Sequence, residues 1–269
     1  MTTAGDRWSL PDWQRTMVWC TERNSQKIRC IIDVLGEYAT DDGQASKLVE
    51  AYETCIRDIS NRKLRASITL KLTALGGLYN LPLCQDRVLA LFSTAKAAGV
   101  RVEIDMEGTP LVDAAMETAL RCVEEGYSVT LALQAYLDRT RSDLKEALSH
   151  QVRVRLVKGA YLGDEENFLQ IQERFRKLAG TIITARAPFA VGTHDPDLIT
   201  WVMGQLIGQK QLVEFGFLKG LSDRTKFKLA GGGWAVAEYV PFGWGIAAYE
   251  ARRLKYLGEL SGIGRVPAP

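Results

Sequence analysis

Residues 152–161 read VRVRLVKGAY, and the alternation in their first half sets the fold. Val152, Val154 and Leu156 fall on one side of an extended strand, Arg153 and Arg155 on the other. The run then passes through Lys158, Gly159 and Ala160, a strand end leading into a loop. Arg155 and Lys158 stand where a buried strand prefers Val or Ile, and a desolvated cation is costly unless an anionic or polar group meets it. The Gly159–Ala160 step lets backbone come close to a ligand. Two readings stay open on this stretch alone. One is a strand end facing a bound anionic cofactor; the other is an exposed edge strand with solvated charges.

Working outward, seven more strand candidates flank it: 30–37 (CIIDVLGE), 67–77, 100–108, 128–137, 188–195, 211–220 and 234–243. Amphipathic helical pattern separates them, for example at 86–98, 110–125, 141–149, 165–180 and 195–208. Eight strand–helix units in 269 residues predict a closed (βα)₈ barrel in the α/β class. An open doubly wound sheet is the runner-up, and its GxGxxG fingerprint after the first strand is missing. The expected organisation is an N-terminal helical segment at 1–29, a barrel at 30–260 including a helical pattern from Trp244 to Leu260, and a flexible tail at 261–269.

Composition is that of an ordinary globular chain, 46% hydrophobic and 25% charged. A net charge of +2 implies no nucleic-acid partner. No apolar run reaches the length of a membrane span, and no signal or transit pattern is visible. The expected location is cytoplasmic, with any membrane contact peripheral. Five scattered cysteines without CxxC spacing read as reduced thiols. With only His150 and His194 present, no metal site is expected, and a serine-type triad would have to use one of these two.

Barrel active sites lie at the C-terminal strand ends. Those ends carry Lys71, Asp105 with Met106 and Glu107, Gln134 and Tyr136, Arg155 and Lys158, Thr193–His194–Asp195, Lys219 and Tyr239. Lys71 and Asp105 sit on consecutive strands, either as a structural ion pair or as the floor of a pocket. His194 either belongs to the turn in which Asp195 caps the next helix, or meets a phosphate. Tyr249, Arg252 and Arg253 share one helical face. Paired guanidinium groups suit a small carboxylate, although a basic helix end favoured by its dipole has the same pattern.

The motifs IIDVLGE (31–37), LKLTALG (70–76), VEIDMEG (102–108), LALQAYL (131–137), VRLVKGAY (154–161), GTHD (192–195), EFGFLKG (214–220), YVP (239–241) and YEARRL (249–254) occur in one order. Together they resemble the proline dehydrogenase family. That resemblance implies a distorted (βα)₈ barrel whose final helix covers the active site. It implies flavin-dependent oxidation of L-proline to Δ1-pyrroline-5-carboxylate, with electrons passed to a quinone. It implies FAD as cofactor. FMN is the alternative, because Leu162 and Gly163 stand where many relatives have a Trp and an acidic residue.

By motif position, Asp105 and Arg155 match catalytic positions: Asp105 the acidic partner of Lys71, and Arg155 the arginine beside the flavin's reactive nitrogen. Lys71, Arg252 and Arg253 match the groups that hold the substrate carboxylate. Leu218, Tyr239 and Tyr249 match the walls of the proline ring, with Tyr249 set to exclude a ring hydroxyl. Met106, Gln134, Lys158, Gly159, Ala160, Thr193 and His194 match flavin contacts. Glu37 matches an acid that pairs with a clamp arginine in the closed site. Tyr256 stands where many relatives carry a Glu. The resemblance also implies a monofunctional enzyme, with pyrroline-5-carboxylate dehydrogenase as a separate downstream protein. Two other classes fit parts of the pattern: a Schiff-base barrel aldolase using Lys71 or Lys158, and a non-catalytic flavin- or proline-binding sensor.

Overall fold

The computed structural model describes residues 7–36, 38–159, 163–243, 246, 249–251, 253–254 and 257–258. Eight parallel strands close into a barrel in the order β1 to β8, each pairing with the next and β8 with β1. They are β1 Ile28–Leu35, β2 Ala66–Leu70, β3 Arg101–Ile104, β4 Val129–Gln134, β5 Arg153–Val157, β6 Phe189–Gly192, β7 Val213–Leu218 and β8 Ala235–Gly243. Helices return the chain outside: α1 Trp13–Ser25, α2 Asp42–Asn61, α3 Leu81–Ala98, α4 Val112–Glu124, α5 Thr140–Ser149, α6 Phe168–Thr184, α7 Pro196–Gln205 and α8 Asp223–Gly231. α1 precedes β1 and the other seven link successive strands. No helix among the described residues is long and apolar enough to cross a membrane.

Local chemistry sets the helix ends. Asp41, Asn80, Asn167 and Asp195 cap α2, α3, α6 and α7 by accepting main-chain N–H groups of the first turn. Pro82 and Pro196 occupy first-turn positions, where a missing N–H costs nothing. α1 lies against the β8–β1 side. Trp19 Nε1 donates to Glu238 at 2.6 Å, and Leu10 pairs with Phe242 beside β8.

The barrel interior departs from the usual branched apolar layers. Its odd-numbered strands turn charges inward. Arg29 of β1 binds Glu214 of β7 with two donors, at 2.6 and 2.9 Å, and reaches Glu103 of β3 at 3.1 Å. Glu103 also accepts from Ser67 at 2.8 Å and pairs with Arg155 of β5 at 3.4 Å. The even strands supply small residues at the same levels. Arg155 is flanked in register by Ala132 and Ala190, and Glu214 by Ala190 and Ala235. Val154 and Leu156 are buried on the other side of β5. A closed barrel has no edge strand, so the solvated-edge reading of VRVRLV does not hold.

The strands end earlier than the apolar runs. The run at 67–77 leaves the sheet after Leu70 and enters a 3₁₀ turn at Thr73–Leu75, where Gly76 adopts φ +95°. The turn is buried, so its residues are as apolar as those of the strand.

Candidate active site

The C-terminal mouth gathers the polar residues of β1, β2, β3, β5 and β8 into one connected group. Lys71, just past β2, donates to Asp33 of β1 at 2.6 Å and to the Tyr239 hydroxyl at 3.0 Å. Tyr239 in turn donates to Asp105 at 2.9 Å. Asp105 accepts from Arg155 at 3.0 Å, and the Arg155 guanidinium lies 5.5 Å from the Tyr239 ring centroid. Lys71 stands 3.8 Å from Asp105, so its nearer carboxylate is Asp33.

Charge fixes the protonation states here. Burial, with Asp105 and Asp33 nearby, raises the Tyr239 phenol well above its ordinary value, so its hydroxyl stays a donor. For Arg155, burial works against the cation, but Glu103 and Asp105 outweigh it and raise the value. Glu103 shows the complement: burial raises it, and Arg155 and Arg29 bring it below the usual carboxylate range. The Nε of Arg155 is buried and has no hydrogen-bond partner among the described residues, which leaves one donor for something bound.

A second group lies on β4 to β7. Gln134 donates to the Glu107 carbonyl at 3.1 Å and accepts from the Tyr136 hydroxyl at 2.7 Å. Gly159 adopts φ +146°, and a Cβ there would fall 1.6 Å from a Tyr136 ring carbon. Lys158 pairs with Asp195 at 3.1 Å and lies 3.4 Å from the centroid of the Phe168 ring. Met106 is buried, and its N–H donates to Asp105 at 3.2 Å. Thr193 accepts the Asp195 N–H at 3.1 Å, and Asp195 caps α7. His194 serves β7 instead of that cap. Its Nε2 accepts the Leu218 N–H at 3.2 Å, and Nδ1 bonds Ser222 at 3.0 Å. An accepting Nε2 assigns the proton to Nδ1. Burial, with Lys226 and Arg253 nearby, lowers His194 to about 3, so the ring is neutral.

Tyr249, Glu250, Ala251, Arg253 and Leu254 are helical. Tyr249 is buried, with the Arg253 guanidinium 4.9 Å from its ring centroid. The Arg253 Nε is buried without a hydrogen-bond partner among the described residues. Glu37, Ala160, Leu162, Arg252, Tyr256 and the tail at 261–269 lie outside the described residues. Leu218 pairs in register with Tyr239, which places it beside the connected group.

Two participants go beyond the residues expected from sequence: Asp33 holds Lys71, and Glu103 stands behind Arg155. Glu107, expected at a strand end, ties the turn after β2 to β4. Glu107 accepts the Thr73 N–H at 3.0 Å and the Thr73 hydroxyl, while its carbonyl takes Gln134. Burial raises its carboxyl to about 7 against the opposing Thr73 bonds. The signal for Asp33 and Glu103 was present as alternation: Arg29-x-Ile31-x-Asp33 and Arg101-x-Glu103-x-Asp105 each repeat a charge at inward spacing. A cavity of about 230 Å³, lined by Arg29, Arg65, Arg101 and Glu214, lies at the opposite, N-terminal mouth. The convergent donors and acceptors are at the C-terminal mouth, where barrel chemistry is placed.

A family model described as proline dehydrogenase matches residues 19–257. Proline dehydrogenase 1 of Bacillus subtilis (strain 168) is 30% identical over 241 residues, covering 86% of this chain and 79% of that protein. Proline dehydrogenase 2 of the same strain is 27% identical over 251 residues, covering 90% and 82%. Among solved structures, proline utilization A from Bdellovibrio bacteriovorus is similar with a TM-score of 0.85 at 20% identity. The match covers 93% of this chain and 32% of that one, so the chain spans about a third of that protein's length. At such identity the likeness speaks for the fold.

Proposed function

The chain belongs to the proline dehydrogenase family, and on that premise we propose that it oxidises L-proline to Δ1-pyrroline-5-carboxylate with FAD, passing the electrons to a quinone. The observation that carries the reading is the single connected group Asp33–Lys71–Tyr239–Asp105–Arg155 at the barrel mouth. The unmet Nε donors of Arg155 and Arg253 fit two acceptors, a flavin ring and a substrate carboxylate. Gln134, Lys158, Gly159 and the neutral His194, with Met106 and Thr193, line the side on which the flavin would be held. The flavin, when bound, supplies the hydride acceptor, so no protein nucleophile is needed.

The chain's own residues then position and exclude. Arg253, with Arg252 and Lys71, holds the carboxylate so that the carbon beside the ring nitrogen is presented in one orientation. Tyr239, Tyr249 and Leu218 wall the ring and exclude water. Tyr249 would crowd a ring hydroxyl, so proline is preferred to hydroxyproline. Arg155 stabilises negative charge developing beside it, and Asp105 fixes Arg155 and the Tyr239 hydroxyl. The proline amine must lose its proton before hydride leaves, so turnover rises with pH. A Schiff-base lysine needs a free amine in desolvated or cationic surroundings. Lys71 lies between two carboxylates, which speaks against the aldolase reading.

The test is the visible spectrum of purified protein before and after anaerobic L-proline. A flavin band that bleaches supports the proposal. A band left unchanged removes the substrate, and absence of any flavin after reconstitution removes the chemistry.

A further inference from the structure

We infer that Glu103 is a positioning residue for Arg155, and that it acts as the middle of a charged column along the barrel axis. The inference rests on the proposed flavin reaction and extends it to a residue that touches neither substrate nor cofactor. The column runs Glu214–Arg29–Glu103–Arg155–Asp105, with successive gaps of 2.6, 3.1, 3.4 and 3.0 Å. Glu103 is its pivot. One carboxylate oxygen takes Arg29 and Ser67, and the other faces the Arg155 Nη1. All four strand-borne members, Arg29, Glu103, Arg155 and Glu214, are buried.

Two features point to position as the use of this arrangement. First, Ala132 and Ala190 flank Arg155 in register, so neighbouring strands supply no side-chain wall to hold its long stem. The guanidinium instead sits between two carboxylates along the axis: Nη2 donates to Asp105 above at 3.0 Å, and Nη1 forms an ion pair with Glu103 below at 3.4 Å. Second, the Glu103 carboxylate is itself held, because Arg29 is tied by two hydrogen bonds to Glu214. With Glu103 gone, Arg155 retains Asp105 and the Tyr239 ring. The guanidinium tilts onto Asp105, which turns its unmatched Nε out of the direction the two carboxylates give it. A cation no longer held in that orientation stabilises a reduced, negatively charged ring less well.

Four proteins test this: wild type, Glu103→Gln, Arg155→Met and the double variant, each purified with flavin. Two quantities are read: the anaerobic rate at which L-proline bleaches the flavin, and the midpoint potential of the bound flavin without proline. Glu103→Gln is expected to slow bleaching by about 10- to 100-fold. In the Arg155→Met background it adds nothing, because the residue it positions is gone. Its midpoint potential falls, in the direction of Arg155→Met. Independent, multiplicative rate losses overturn the inference. So does a potential that rises, as loss of a nearby negative charge alone would produce, or one that does not move.

If Glu103→Gln fails to fold or to retain flavin, Ser67→Ala replaces it, since it keeps both charges and removes the hydroxyl that donates to the Glu103 carboxylate and accepts from Arg29. It is expected to slow bleaching severalfold in the wild-type background and not in Arg155→Met; equal rates in the wild-type background overturn the inference. A wild-type protein that L-proline does not bleach refutes the proposed function itself. Bleaching of wild type with additive variants refutes only the positioning role.

Discussion

Asp33→Asn removes one charge from a pair that is wholly buried and changes almost nothing else in shape. Lys71 is 2.6 Å from Asp33 and 3.8 Å from Asp105. At an effective dielectric of about 20, those distances correspond to gross attractions of roughly 6 and 4 kcal/mol. Asp105 is already shared with Arg155 and Tyr239, so it cannot move fully to Lys71. The variant therefore leaves a buried ammonium under-compensated, which costs about 3–5 kcal/mol. For a chain of this size each kcal/mol moves the midpoint of thermal unfolding by roughly 2–4 °C, so the expected drop is about 6–20 °C. The assay is thermal unfolding at neutral pH followed by circular dichroism, on Asp33→Asn, Lys71→Met and the double variant. Removing both charges takes away the cation together with the carboxylate that compensates it. The double variant is expected to be more stable than the sum of the singles by about 2–3 kcal/mol. Additivity to within about 0.5 kcal/mol would refute the reasoning and return Lys71 to Asp105 as its principal partner.

Two titrations oppose each other between pH 4.5 and 6.5, the ordinary values for a glutamate and a histidine. Glu107, raised to about 7, keeps a proton in the native state that the unfolded chain releases, so its contribution is lost as pH rises. His194, lowered to about 3, lacks a proton that the unfolded chain takes up, so its contribution is lost as pH falls. Glu107→Gln should gain stability with rising pH through that window, and His194→Asn should lose it. Each slope is at most about 1.4 kcal/mol per pH unit, and parallel unfolding curves would rule the pair out. Gly159→Ala should lower the flavin-to-protein absorbance ratio severalfold, because its Cβ displaces the Tyr136 ring that holds Gln134; an unchanged ratio removes Gly159 from the cofactor side. Arg253→Met should raise the L-proline concentration for half-maximal bleaching by about 10- to 100-fold, the loss of one charged hydrogen-bonding group. An unshifted titration would take Arg253 out of the carboxylate clamp.

Strand number, order of elements and the facing of β5 were legible because they depend only on alternation and on burial outside the barrel. Strand ends were not, because residues past a barrel strand remain buried under loops. Lys71 to Leu75 is as apolar as β2, yet its carbonyls already serve the turn, with Lys71 O accepting the Ala74 N–H at 3.2 Å. Partner choice was legible only in part. Asp105 and Lys71 stand on adjacent strands and were expected to pair, but pairing distance depends on stagger, which no single strand records. The nearer Asp33 lies inside the apolar run IIDVLGE, and its inward facing shows only when Arg29, four residues earlier, is read with it. Glu107 lies beyond the end of β3, and its contact with Thr73 requires the turn that ends β2.

The interior charges also bear on why β5 carries arginines at all. Replacing a buried ion pair by apolar side chains of similar volume is often neutral or stabilising. Stability alone therefore gives no reason for charges in place of an apolar interior of the common kind. The alanines at the level of Arg155 and Glu214 leave room that branched residues would have filled, and the charged side chains occupy it. What such a column supplies, and an apolar layer does not, is a directional hold on a guanidinium at the height where the strands end. The arrangement thus separates two tasks. The helices and the outward faces of the strands stabilise the barrel, while the inward faces of β1, β3, β5 and β7 place one cation at its mouth.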